Sequence, residues 1–102
     1  ERSYLNEFLA NVEVQMEELQ IKEQSPIVGK TLMELQVRAK GSFMVIALRR
    51  FNDRLIFRPS ASQLLNIEDS LIILGHQDKL PQFAEHYHLK RYHFTHQRSA
   101  AA

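Results

Sequence analysis

Between Val12 and Ile21 apolar and polar residues alternate, with Val12, Val14 and Met16 set against Glu13, Gln15 and Glu17. A period of two places the sets on opposite faces of a strand, so this stretch predicts a half-buried strand with Val12, Val14 and Met16 inward. The pattern slips at Glu18-Leu19, where a bulge is expected. Upstream, Tyr4, Leu5, Phe8 and Leu9 recur at helical spacing and predict the last turns of a helix. Ser25-Pro26 stops the strand, because proline offers no ladder donor and restrains the residue before it. Gly29 then permits a turn, and Thr31 with Glu34 has the spacing of a capping box. Leu32, Leu35 and Met33 supply the stripe of a short helix that Gly41 should end.

Phe43 to Leu48 is apolar throughout, which predicts a strand covered on both faces or lying at a dimer seam. Asn52-Asp53 is a hairpin signal between it and Leu55-Ile56-Phe57, since both residues tolerate positive φ. Pro59 closes that strand. Residues 60–69 read as a polar loop anchored by Leu64, Leu65 and Ile67. Leu71 to Leu74 is a further apolar strand, ended by Gly75. Asp78 is the expected N-cap of a second helix, with Pro81 in its first turn and Leu80, Phe83, Ala84 and Tyr87 on one face to about Leu89. Residues 90–102 are basic and aromatic without a period, and read as a flexible tail. The order β-α-β-β-β-α predicts an α+β domain with a mainly antiparallel sheet of about four strands.

Composition changes this picture little. A chain of 102 residues makes one domain or part of a larger protein, and the opening at Glu1 is expected to mark an excised fragment. The net charge of +1 creates no general field toward nucleic acid or anionic lipid, so no nucleic-acid partner is expected. Without cysteine there is no disulfide framework and no thiolate metal site. The apolar runs are too short to span a bilayer.

Several residue groups bear on chemistry. Gly29-Lys30-Thr31 resembles the end of a phosphate-binding loop, but the position needing its first glycine holds Gln24. Arg38-Ala39-Lys40 is the better candidate. A small residue between two cations lets backbone N–H groups approach an anion, while the guanidinium adds paired donors. Val37, Met44 and Val45 would set apolar surface beside it, suited to a nucleobase. The alternative is that Arg38 is an ordinary solvated or salt-bridged side chain. His86 and His88 point apart on a helix and cannot share an ion, and His93 with His96 lacks a carboxylate partner, so no metal site is assigned. Glu17, Glu18, Glu23, Glu68 and Asp69 raise calcium, but their spacing is no known loop. No catalytic set falls at an identifiable spacing, so no enzyme is expected.

The run Ser25-Pro-Ile-Val-Gly-Lys-Thr-Leu-x-Glu-Leu, then Val37-Arg-Ala-Lys, then an apolar strand ending in arginine, resembles the RCK C-terminal subdomain, also called TrkA-C. Pro59, the segment Leu65-x-x-Glu68-Asp69-x-Leu71 and the strand closing at Gly75 fit as well. The likeness covers about residues 11 to 88, so residues 11–89 are expected to form this regulatory domain. It departs at Glu68, where the family usually has glycine. The resemblance implies a non-catalytic, homodimerising, ligand-sensing module at the cytoplasmic face of a potassium channel, uptake system or cation antiporter. Its partners would be a pore or transporter membrane subunit and a dinucleotide-binding Rossmann half, with residues 1–10 as the end of the crossover helix between the halves. In members that bind cyclic di-AMP the hinge and the later proline form the pocket. Val37, Arg38, Ala39, Val45 and Pro59 match those positions, Lys40 adjoins them, and Met44 stands where such members often carry asparagine. The resemblance also admits a purely structural dimerisation module with no small-molecule ligand.

Overall fold

The computed structural model describes residues 14–40 and 43–92. The expected crossover end, Gly41 and the pair His93/His96 lie outside the described residues. The elements are β1 (Val14–Ile21), α1 (Leu32–Ala39), β2 (Phe43–Arg49), β3 (Leu55–Phe57), β4 (Ser70–His76), α2 (Leu80–His86) and β5 (Leu89–Tyr92). All strands join one antiparallel sheet in the order β3-β2-β4-β1-β5. The α+β class and the antiparallel sheet are as expected, with five strands rather than four.

The core lies on one face of the sheet. Leu19, Ile21, Leu48, Leu71 and Ile73 alternate toward it, and Ile27, Leu32, Leu35, Leu65, Leu80, Phe83 and Tyr87 cover them. The first strand reverses the parity that its alternation suggests. Val14 and Met16 are 37% and 46% exposed, whereas Glu17 is 1% exposed, in line with Leu19 and Ile21. Glu17 holds a core position because Arg91 Nε and Nη2 donate to its carboxylate at 2.8 and 2.5 Å. No bulge is needed at Glu18-Leu19, and pairing with β4 runs unbroken from Val14 to Gln20. The irregularity falls instead in β2, between Val45 and Ala47.

The second helix also ends earlier than its pattern suggests. Tyr87 caps it, His88 takes a left-handed φ of 54°, and the chain turns back as β5 along β1. Residues 90–92, read as the start of a loose tail, are thus strand. Lys79, not Asp78, is the N-cap and makes no side-chain cap bond, while Pro81 sits in the first turn as expected.

The first helix starts as its sequence indicates and buries Leu32 and Leu35, whereas Met33, expected in the same stripe, is 53% exposed. Thr31 and Glu34 form the reciprocal capping box. The first-turn amides of Leu32 and Met33 donate to the carbonyls of Gln63 and Ala61, which satisfies donors every helix start leaves open. Gly29 makes the preceding turn at φ 80°. Lys40, rather than Gly41, occupies the left-handed C-cap position at φ 57°.

Glu68 carries a strain that a glycine would not. Its φ is 75°, a region where a Cβ costs roughly 1–2 kcal/mol. Its carboxylate meets Lys22 Nζ at 3.3 Å, an exposed pair worth about 0–1 kcal/mol. Glu68→Gly is therefore expected to hold or raise stability by up to about 1 kcal/mol. Glu68→Val should lower it by about 1–2 kcal/mol, since a branched Cβ tolerates this φ least. Thermal melts of the two variants should move in opposite directions.

Candidate functional site

The residues singled out by sequence fall at the end of α1, in the first half of β2 and just after β3. The last turn of α1 presents Val37, Arg38 and Ala39, and Lys40 closes it. Val37 is 70% exposed, Arg38 is exposed, and Ala39 is half-buried against the core. Glu34, one turn before Arg38, accepts from the Thr31 amide at 2.7 Å. That bond, with the Thr31 hydroxyl and the nearby charges of Lys30 and Arg38, holds the Glu34 carboxyl below its ordinary range. Among the described residues the Arg38 guanidinium makes no hydrogen bond or ion pair, so the salt-bridged reading of Arg38 is not met.

The expected backbone contribution is not available at Lys40. Its amide donates to the carbonyls of Gln36 and Val37 at 3.0 and 3.3 Å, which closes the helix. Amides in the last turn of a helix are likewise spent on the preceding turn. Any anion at this hinge would be held by side chains.

Met44 and Val45 begin β2 on opposite faces, as strand neighbours must. Met44 is 62% exposed on the face away from the helices, while Val45 is half-buried and packs on the core. The Arg58 amide donates to Ile46 O at 3.0 Å, which brings half-buried Pro59 back beside the start of β2. Two cross-strand rows extend from Met44 over the open face: Met16–Leu74–Met44, then Ile72–Ala47–Phe57. On these rows Phe57, Met44 and Met16 are 68%, 62% and 46% exposed, while Ala47 and Ile72 between them are buried.

The remaining candidates are absorbed into structure. The amides of Gly29, Lys30 and Thr31 donate to Leu65 O, Ile27 O and Glu34, leaving none of the three to cradle a phosphate. Four of the five acidic residues are matched to cations: Glu17 to Arg91, Glu18 to Arg49, Glu68 to Lys22 and Asp69 to Arg50. Among the described residues no group of three His, Asp or Glu is placed to hold a metal ion. No helix among them is long and apolar enough to cross a membrane. Sequence reasoning missed the buried Glu17–Arg91 pair and β5. Residues 89–92, Leu-Lys-Arg-Tyr, show no alternation of apolar and polar positions that could have announced them.

A five-stranded antiparallel sheet with helices on one face and exposed apolar side chains on the other defines an α+β domain of the RCK C-terminal kind. The chain belongs to the TrkA-C domain family, whose model matches residues 16–88. It is 31% identical over 65 residues to the Ktr system potassium uptake protein C of Bacillus subtilis (strain 168). That match takes in 64% of this chain and 29% of the relative, so the chain spans under a third of the relative's length. Among solved structures it is similar to the RCK C domain of potassium transport protein KtrA in complex with cyclic diadenosine monophosphate. Identity there is 27% and the TM-score 0.59, over 79% of this chain and 89% of that one. The RCK_C domain dimer of S. agalactiae BusR, also in complex with c-di-AMP, shares the fold at 20% identity and a TM-score of 0.61. It covers 70% of this chain and 92% of that one.

Proposed function

We propose that this domain is the ligand sensor of a cytoplasmic potassium-transport regulator, and that it works as a homodimer binding cyclic di-AMP across its two-fold axis. The carrying observation is Arg38: an exposed guanidinium without an internal partner, flanked by exposed Val37, in a chain similar to the KtrA domain solved with that ligand. A bridging phosphate would meet the guanidinium fork, and an adenine would lie against Val37, Val45 and Pro59. The exposure of Met16, Met44 and Phe57 supports association with a second copy, because exposed apolar surface of this kind favours burial. Bound ligand would favour one arrangement of the protomers by its differential affinity. The attached Rossmann half would pass that bias to a membrane subunit. A second reading, a dimerisation module without ligand, draws on Met44 in place of the usual asparagine and on the closed Lys40 amide.

Titration calorimetry with cyclic di-AMP separates them. The expected result is one ligand per dimer, and Arg38→Ala should lower affinity about ten- to hundredfold through loss of charge-assisted contacts. Lys40→Ala should cost less, since an exposed ammonium is mostly screened. No heat with the parent chain would leave the scaffold reading. Equal losses at both cations would reject the pocket geometry.

A further inference from the structure

Arg38 also borders a second space, wholly within one protomer. Between the last turn of α1 and one stripe of α2 lies a cleft of about 370 Å³. Its floor is Ala39, Phe83 and Tyr87, and its rim is Arg38, Lys79, Gln82 and His86. Positions 79, 82, 83 and 86 recur at helical spacing, so α2 directs them to one side. Val37, Met44, Val45 and Pro59 do not line it, and the two spaces share only Arg38 and Ala39.

The wall contains donors and no carboxylate. The side chains of Arg38, Lys79 and Gln82 make no hydrogen bond or ion pair among the described residues. Of the acids near in sequence, Glu34 caps α1 through Thr31, Asp78 approaches His76 Nδ1 at 3.9 Å, and Glu85, beside His86, does not line the cleft. Tyr87 is buried as a residue, yet among the described residues its hydroxyl has no partner. No buried side-chain oxygen or nitrogen lacks one, so this hydroxyl must reach solvent. His86 stands edge-on to the Tyr87 ring at 4.5 Å and leaves its nitrogens unbonded. Two fixed cations, a carboxamide, an imidazole and a phenol thus surround an apolar floor with their donor capacity unspent.

We propose that this cleft binds a phosphate-bearing anion of mononucleotide size. A phosphate uses the kinds of groups present: a guanidinium fork, a compact ammonium and neutral donors beside them. The volume lies near the lower end of small-molecule sites, about 300–1,000 Å³, which admits a single nucleotide or free phosphate rather than an enclosed dinucleotide. The apolar floor sheds water beneath the ligand and strengthens each polar contact.

The test is a backbone-amide NMR titration of the whole chain with adenosine monophosphate and, separately, inorganic phosphate. Saturable shifts at Arg38, Lys79, Gln82, Phe83 and His86 are expected. Lys79→Ala, at an exposed position, should weaken binding about tenfold, as loss of one charge-assisted contact does. Met44→Ala should leave it unchanged. Tighter binding of the nucleotide assigns a phosphate monoester, and equal binding assigns free phosphate. The proposal is overturned by no saturable shift at these residues, by shifts confined to the Met44–Val45 end, or by equal affinity of Lys79→Ala and parent. Equal affinity of Lys79→Ala and parent does not bear on cyclic di-AMP, whose site does not use Lys79, whereas shifts confined to the Met44–Val45 end would place the nucleotide in that other pocket.

Discussion

Asp69→Ala is expected to destabilise the domain by about 3–5 kcal/mol, a large share of the roughly 5–15 kcal/mol that holds a small domain together. The Asp69 side chain is almost wholly buried, and three donors converge on it. Arg50 Nη1 lies at 2.5 Å, the Phe51 amide at 2.9 Å and the Asn66 amide at 3.1 Å. Together they fasten the β2–β3 turn to the loop that leads into β4. Alanine would leave a half-buried guanidinium with only the Leu64 carbonyl, at 2.9 Å, and two amides without their acceptor. Asp69→Asn retains an oxygen and loses the charge, so its cost should be smaller, about 1–3 kcal/mol. Urea unfolding followed by circular dichroism measures both. A loss below about 1 kcal/mol for alanine would mean that the two loops are not joined through this carboxylate.

The second large effect is expected at Arg91. Removing one partner of a buried ion pair costs about 3–5 kcal/mol, because the other charge stays desolvated. Glu17 is the buried partner, while Arg91 is about a third exposed, so Arg91→Ala should fall near 3 kcal/mol. The carboxylate in turn raises the guanidinium pKa above its ordinary value, chiefly through their hydrogen bonds. Replacing both residues by leucine should recover most of the loss, since an apolar pair of similar volume often substitutes for a buried ion pair. Ending the chain at His88 should cost at least as much as Arg91→Ala. It removes the same guanidinium and also the buried Leu89 side chain. If that shortened chain unfolds at the urea concentration of the parent, β5 contributes nothing.

These two sites also show where the sequence was legible. The capping box at Thr31 and Glu34, the turn at Gly29 and the hairpin at Asn52-Asp53 depend on neighbours in the chain, and each formed as read. Asp53 takes φ 74°, and the Arg50 amide closes the hairpin on Arg54 O at 2.8 Å. Glu17 was assigned to solvent because its ion-pair partner at a core position, Arg91, lies 74 residues away. That long-range pairing also turns Leu89–Tyr92 from tail into strand. The parity of β1 followed from the same omission. In the candidate site, local sequence placed Arg38 at the end of α1. It did not show that Lys40 would spend its own amide closing the helix, or that Met44 and Val45 would face opposite ways from the end of a bulged strand. The stripe of Lys79, Gln82 and His86 was visible as helical spacing but acquired meaning only when α2 came to rest against α1.

The antiparallel run of β5 along β1 has a mechanical consequence. Ile21 faces Leu89 and Glu18 faces Tyr92, so the chain enters at Val14 and leaves beyond Tyr92 from the same end of the sheet. A tether pulling on both ends would load the ladder bonds one after another, as in opening a zipper, rather than all together in shear. The first fastenings to meet that force would be Tyr92 to Gln20, at 2.9 Å, and Arg91 to Glu17. Under such a pull β5 should therefore peel from β1 before the four remaining strands give way.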